Sequence, residues 1–372
     1  MKHKIELKPA FAERMESLLG KKSFEEYVLF LEKPLMKSIR ANTLKISVNE
    51  LKKRLEKKSW VLKQPFRKFP EVMIVEGKIA GKNKEDNDDN YKGNVVKNFH
   101  KLVNANKDGG ERSELLGGNN RAKQGKIIDL EPGELGRSLE HLLGYYYVQD
   151  ISSMLPVMAL NPAKNESVVD LCASPGSKTT QISAMMNNLG VLIANDVKLE
   201  RIKILASNLE RCGASNVIMT KNYGDVLCKR MRRIGFQADK ILIDAPCSGE
   251  GTIRTSTMTA KMWNANRIYS LSVIQKNLLA GAVEILKKNG EIIYSTCTHT
   301  PEENEEVVDC ILNNFKNIKV EKPLLPKELK ANPGVLEWQG KSYLKEVKKC
   351  VRIYPQDNNT EGFFIAKLRK IG

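Results

Sequence analysis

No run of apolar residues in this 372-residue chain is long enough to cross a bilayer, which excludes a helical membrane span. The opening Met1-Lys2-His3-Lys4-Ile5-Glu6 lacks the apolar centre of a secretory signal. Seven cysteines are present, at 172, 212, 228, 247, 297, 310 and 350, and no two of them form a Cys-x-x-Cys pair. An odd count without such pairs argues against both a zinc ribbon and a disulfide framework, so no structural metal is expected. There is no G-x-G-x-x-G fingerprint, no Walker A spacing and no internal repeat. These absences lead to the expectation of a cytoplasmic chain whose thiols are reduced and free to do chemistry; it is separately expected to act as a monomer.

What the chain has in excess is positive charge. Sixty-one Lys and Arg against 44 Asp and Glu leave a formal charge of +17, with a sequence pI near 9.4. Such an excess favours a polyanionic partner, because each cation near a phosphate releases condensed counterions. Lys-rich solvated helix faces would give the same total. Hydrophobic residues make up 41%, ordinary for a globular protein, and the length suggests two or three domains.

Three stretches differ in pattern. Residues 1–76 mix short runs: Phe24 to Leu31 is helically spaced, Ile39 to Ile46 reads as extended, and Val48 to Lys58 is an amphipathic helix. This is expected to be a small α+β segment. From Gly77 to Lys126 the composition shifts to Asn, Lys, Asp and Gly, as in Lys84-Glu85-Asp86-Asn87-Asp88-Asp89-Asn90, which predicts a mobile polar insertion. Residues 127–372 form the third unit. Within it, β-branched runs alternate with amphipathic helices: Val168–Leu171 and Thr179–Asn188, Val191–Ala194 and Leu199–Cys212, then Val217–Thr220, Lys240–Ile243, a helix over Leu271–Lys288, and Glu291–Tyr294. That alternation predicts an α/β fold, a largely parallel sheet with helices on both faces, whose ligands bind beyond the carboxyl ends of the strands.

Chemistry-bearing residues gather at those ends. After the first strand comes Cys172-Ala173-Ser174-Pro175-Gly176-Ser177-Lys178, a loop of small residues that lets backbone amides approach a ligand ahead of a helix. The second strand ends at Asp196, which could accept from ribose hydroxyls or merely cap the next helix. Asp225, after the third, could reach an adenine amine or close a turn. The fourth ends Asp244-Ala245-Pro246-Cys247, and the fifth delivers Thr296-Cys297. Thr300, Pro301 and Glu303 have capping-box spacing, which would set Cys297 just before a helix start, where positive charge favours a thiolate.

The segments DLCASPGSKT (170–179), DAPCSGEGT (244–252) and STCTHTPEENE (295–305) resemble the NOL/NOP/Sun (Fmu-type) RNA cytosine-C5 methyltransferases. So do YYYVQDISSMLP (145–156), SIRANTLK (38–45) and TEGFFIAKL (360–368), so the likeness spans nearly everything except 77–126. Two departures stand out: Ser177 where the loop often has a second Gly, and Gln356 where His is frequent. The resemblance implies a Rossmann-like class I methyltransferase using S-adenosyl-L-methionine, with Cys297 attacking carbon 6 of cytosine and Cys247 assisting product release. It further implies that Asp244 contacts the base, that Lys178 supports it, and that the cofactor lies against Cys172–Lys178, Asp196, Arg201, Asp225 and Asp244. The segment carrying Arg40 and Asn42 resembles an RNA-binding extension. Transfer RNA is the first-choice substrate, because no further RNA-binding domain is evident; ribosomal RNA is the second. A non-catalytic RNA-binding or assembly factor would explain the charge but leave the paired cysteines without a use. A DNA cytosine methyltransferase would use the Pro-Cys thiol as nucleophile and would not need Cys297.

Overall fold

The computed structural model describes residues 5–80 and 126–371, and two sheets organise them. The first is antiparallel and built from β1 (Lys37–Ala41), β2 (Trp60–Lys63), β3 (Val72–Ile79), β4 (Ile127–Ile128) and β5 (Tyr146–Val148), in the order β2-β3-β1-β5 with β4 on β3. Ser47 caps the helix Val48–Lys57 by accepting from the Glu50 amide. That helix buries Leu51 and Leu55, one turn apart, against Ile39, Trp60, Met73 and Tyr146.

The second sheet holds the strand–helix alternation read from the sequence. Its strands are β6 (Ser167–Asp170), β7 (Val191–Asp196), β8 (Val217–Lys221), β9 (Ala238–Asp244), β10 (Leu286–Thr296), β11 (Ile318–Glu321) and β12 (Asn332–Pro333), followed after the hairpin β13 (Glu337–Trp338) and β14 (Lys341–Ser342) by β15 (Val351–Ile353) and β16 (Phe363–Lys370). The order is β12-β15-β16-β10-β9-β6-β7-β8, with β11 also on β16. The five strands from β10 to β8 are parallel, whereas β16, β15, β12 and β11 add antiparallel pairs. The order reverses between β6 and β9, which makes their carboxyl ends the expected crevice. Val168, Val169, Ile241, Ile243, Ile292 and Ile293 are fully buried, as continuous apolar strands covered on both faces should be.

Three sequence-drawn boundaries move. Residue 127 does not open the third unit, because β4 and β5 complete the first sheet, with Ile39 opposite Val148 and Lys78 opposite Ile128. The edge groups of β1 and β3 need partners, and these strands supply them. Gly77 lies inside β3 rather than in an insertion; a Cβ there would sit 2.3 Å from the Ile128 carbonyl oxygen. The expected mobility of the remaining insertion concerns residues 81–125, outside the described residues. Nor do residues 1–76 form one unit. The helices Pro9–Leu19 and Lys21–Leu31 pack Phe11, Met15, Tyr27 and Leu31 against Ile253, Ala260, Trp263 and Ile268 of the larger layer.

Candidate active site

The strand ends bring the two expected cysteines together. Cys247 follows β9, Cys297 follows β10, and their sulfurs lie 3.2 Å apart. Three loops close around them. The Gly251 amide donates to the Cys297 carbonyl at 2.9 Å, and the Gly362 amide donates to the Gly251 carbonyl at 2.9 Å. Glycine is required at this crossing, since a Cβ on Gly251 would lie 2.3 Å from the Gly362 oxygen. The hydrogen bond with Cys297, followed by burial, pushes the Cys247 thiol well above its ordinary range, so it is protonated at neutral pH.

Asp244, at the end of β9, is held from two sides. Lys178 Nζ lies 2.7 Å from Oδ2, and the Ser295 hydroxyl donates to Oδ1 at 2.9 Å. Lys178 also donates to Ser153 Oγ at 2.8 Å and sits 5.2 Å from the centre of the Phe363 ring. Lys178 is 6% exposed, whereas the Asp244 side chain keeps 29% of its surface open. A buried ammonium thus fixes a carboxylate that still faces the crevice. Ser153, Ser295 and Phe363 were not singled out as site residues, although each lies within a quoted segment. Nothing in their residue types announces a role; only the folded arrangement places them around Lys178.

The loop 172–178 wraps the end of β6. Gly176 there has φ of 106°, and a Cβ would press within 3.0 Å of Leu205 Cδ1. Asp196 accepts from the Ser174 amide at 3.3 Å, the Lys198 amide at 3.2 Å and Arg201 Nε at 3.0 Å. Ser174 Oγ in turn donates to the Arg201 carbonyl at 2.8 Å. The loop, Asp196 and Arg201 therefore form one hydrogen-bonded unit. Asp225 lies in the first turn of the helix Gly224–Arg233, where its carboxylate pairs with Lys229 at 3.6 Å. Burial, and next Asp170, push the Cys172 thiol well up, so this cysteine is an inert wall rather than a nucleophile. Asp170 is itself buried. Oδ2 accepts from Thr179 at 2.8 Å, whereas Oδ1 has no hydrogen-bond partner, and burial raises its carboxyl to about 7. An orphaned carboxylate oxygen at one strand end and a second acid at the next fit a ligand carrying an amine and ribose hydroxyls.

Two expectations fail here. The capping box does not form: Thr300 makes no side-chain cap, Pro301–Glu303 is a single 3₁₀ turn, and the α-helix begins only at Glu305. Glu303 turns instead toward the Cys247 loop and accepts from the Ser248 amide at 3.0 Å. Arg40 and Asn42 are not free to meet RNA. Arg40, 3% exposed, donates to Gln149 Oε1, to the Ser177 carbonyl at 2.8 Å and to Thr180 Oγ1 at 2.8 Å. Asn42 donates to the carbonyls of Gly144 and Cys212 at 2.8 and 2.7 Å. Both residues clamp the first sheet onto the larger layer, because buried backbone carbonyls there require donors. Gln356 lies in the short helix Pro355–Asn358, with its Oε1 buried and unpartnered. Among the described residues no group of three or more His, Cys, Asp or Glu is arranged to hold a metal ion, and no helix is long and apolar enough to cross a membrane.

Comparison with known proteins matches residues 157–369 to the family described as 16S rRNA methyltransferase RsmB/F. The chain is 35% identical over 370 residues to the tRNA (cytosine(49)-C(5))-methyltransferase of Pyrococcus abyssi, covering 100% of this chain and 99% of that protein. It is 33% identical over 365 residues to ribosomal RNA small subunit methyltransferase F of Vibrio campbellii, covering 97% of this chain and 63% of that longer protein. Among solved structures, a methyltransferase homolog protein from Pyrococcus horikoshii superposes with a TM-score of 0.73 at 31% identity, covering 99% of this chain and 96% of the other.

Proposed function

We propose that this chain, which belongs to the RsmB/F family of methyltransferases, forms 5-methylcytosine in RNA through a covalent bond between Cys297 and carbon 6 of the base. The observation that carries this reading is the 3.2 Å approach of Cys247 and Cys297 beside a carboxylate held by Lys178. Carbon 5 of cytosine is too poor a nucleophile to take a methyl group unaided. Addition of the Cys297 thiolate at carbon 6 pushes an electron pair onto carbon 5 and makes it one. Asp244, oriented by Lys178 and Ser295, accepts a hydrogen bond from the exocyclic amino group of the base and so holds the ring in register for attack. Residues 172–178, Asp170, Asp196 and Arg201 would hold S-adenosyl-L-methionine, which would supply an electrophilic methyl group.

Release then needs carbon 5 to lose its proton. That C–H pair re-forms the 5,6 double bond, and the carbon–sulfur pair returns to Cys297. Cys247, having passed its own proton to water, takes the carbon 5 proton. The target cytosine must leave its stack to reach these groups, so unpaired or flipped bases are the substrate. Transfer RNA is the preferred class, supported by the relative that this chain matches from end to end. Ribosomal RNA is the second reading, supported by the bacterial relatives.

Two experiments test this. Bisulfite sequencing of total RNA with and without the gene identifies the modified cytosine; an unchanged methylation map would remove the activity. On an RNA that the wild-type enzyme methylates, Cys247→Ala should remain attached to RNA on a denaturing gel, while Cys297→Ala should show no shifted band. The reverse pattern would make Cys247 the nucleophile.

A further inference from the structure

The Cys247 sulfur hydrogen-bonds with Cys297, and the step assigned to it demands that this contact be given up. Its placement during release therefore depends on the backbone on either side. The Pro246 carbonyl, immediately before it, accepts from Gln275 Nε2 at 2.8 Å. The Ser248 amide, immediately after it, donates to Glu303 at 3.0 and 3.3 Å. The two anchors are joined, since Gln275 Nε2 also donates to Glu303 Oε2 at 2.8 Å.

Gln275 and Glu303 are fully buried and come from different elements. Gln275 lies on the long helix Ala265–Ile285, and Glu303 lies on the loop that carries Cys297. Cys297 is held independently of them: its carbonyl accepts from Gly251, and Thr296 donates to Asn304 Oδ1 at 2.6 Å. Ser248 Oγ also meets Thr298 Oγ1 at 2.7 Å, so losing the pair would loosen Cys247 at the Pro246 carbonyl and the Ser248 amide, not release it, while leaving the nucleophile in place.

We propose that Gln275 and Glu303 are positioning residues for Cys247, and that they govern release of the methylated base rather than transfer of the methyl group. The proposal rests on the roles assigned above to the two cysteines. Proton removal from carbon 5 needs the Cys247 sulfur within about 3 Å of its target, and a displacement of about 1 Å costs on the order of a hundredfold in rate. Attack and methyl transfer use Cys297, Asp244 and Lys178, none of which the pair touches.

The test uses the full chain, adenosylmethionine and an RNA that the wild-type enzyme methylates, with methyl transfer in a single turnover and decay of the covalent adduct measured separately. In Gln275→Leu and Glu303→Ala, transfer should stay within about threefold of wild type while the adduct persists tenfold longer or more. Glu303→Gln, which can still accept from Ser248, should recover much of the release rate. Equal slowing of transfer and release, with weakened cofactor binding, would mean that the pair only supports the fold and would overturn the proposal. Should Glu303→Ala fail to fold, Gln275→Leu and Glu303→Gln decide the matter with the same two rates. Cys247→Ala serves as the control. If it traps an adduct while the Gln275 and Glu303 variants release normally, the positioning role alone is wrong. If it traps none, the assignment of the cysteines is wrong instead.

Discussion

Replacing Arg40 by alanine should damage stability and cofactor binding, and should leave the salt dependence of RNA binding unchanged. The guanidinium is buried between the first sheet and the helix Ser177–Met185, and burial lowers its pKa to about 10, so it stays charged at neutral pH. It donates to Gln149, the Ser177 carbonyl, Thr180 and, at 3.3 Å, Gln181, and lies 5.6 Å from the Tyr147 ring centre. Hydrogen bonds to a charged group are each worth about 1.5–3 kcal/mol, and each acceptor left buried and unpaired costs about 1–3 kcal/mol. Such terms are not additive within one network. Against them, Arg40 Nε already lacks a partner. A loss of about 3–5 kcal/mol is the resulting expectation, similar to removing one member of a buried charged network. Ser177 and Thr180 lie in the first turn of the helix that continues from the loop proposed to hold the cofactor, so adenosylmethionine should bind more weakly as well. Arg40→Lys should recover only part of both losses, because a lysine cannot reproduce the fork that reaches several acceptors. Urea denaturation, calorimetry with the cofactor and RNA titrations at several salt concentrations would measure the three quantities. A residue contacting a phosphate would reduce the salt slope by about one when neutralised. A slope reduced by that amount, with stability lowered by less than about 1 kcal/mol, would refute this account and restore Arg40 to the RNA surface.

Asp196→Ala should weaken adenosylmethionine about ten- to a hundredfold, the equivalent of one or two charge-assisted hydrogen bonds, and unchanged calorimetric affinity would remove the residue from the pocket. Gly251→Ala should cost about 1–3 kcal/mol of stability and most of the methylation rate, since its new Cβ would collide with the Gly362 carbonyl; wild-type turnover would show that the crossing can relax. Asp170 gives a pH signature: its carboxyl rises from 3.8 to about 7 on folding, so the folded protein holds a proton that the unfolded chain releases. Its contribution is complete at low pH and fades as pH climbs through this window, by up to about 1.4 kcal/mol per pH unit. In cofactor-free protein, Asp170→Asn should remove that part of the slope between pH 5 and 7, and identical slopes by urea denaturation would show that Asp170 is ionised in the fold.

How much was legible in advance depended on whether the information was local. The helix Leu199–Cys212 agrees to the residue and the strands β6 to β9 to within about two residues, because buried strands and amphipathic helices write their period into adjacent positions. By contrast, β10 begins at Leu286, inside the expected helix Leu271–Lys288, which runs over Ala265–Ile285. Cys247, Cys297, Asp244 and the loop 172–178 stand out by residue type at a strand end, and the parallel fold carries strand ends to one crevice, whereas the role of Lys178 is implied only by the family resemblance. Only tertiary structure could decide what distant side chains do to one another. Glu303 has a capping residue's spacing, yet the Ser248 amide competes for its carboxylate, and a buried amide without an acceptor costs more than an unmade cap. Arg40 carries the charge of an RNA contact, but burial against the helix Ser177–Met185 converts that charge into a fastener for a carbonyl, a hydroxyl and amides far along the chain. Ser153, Ser295 and Phe363 around Lys178, and Gln275 beside Glu303, left no trace in the pattern, because a hydroxyl, a ring or an amide acquires its role from the group that folding sets against it. Short-range periodicity determined the scaffold and the chemistry it presents, whereas packing between elements decided which polar group satisfies which.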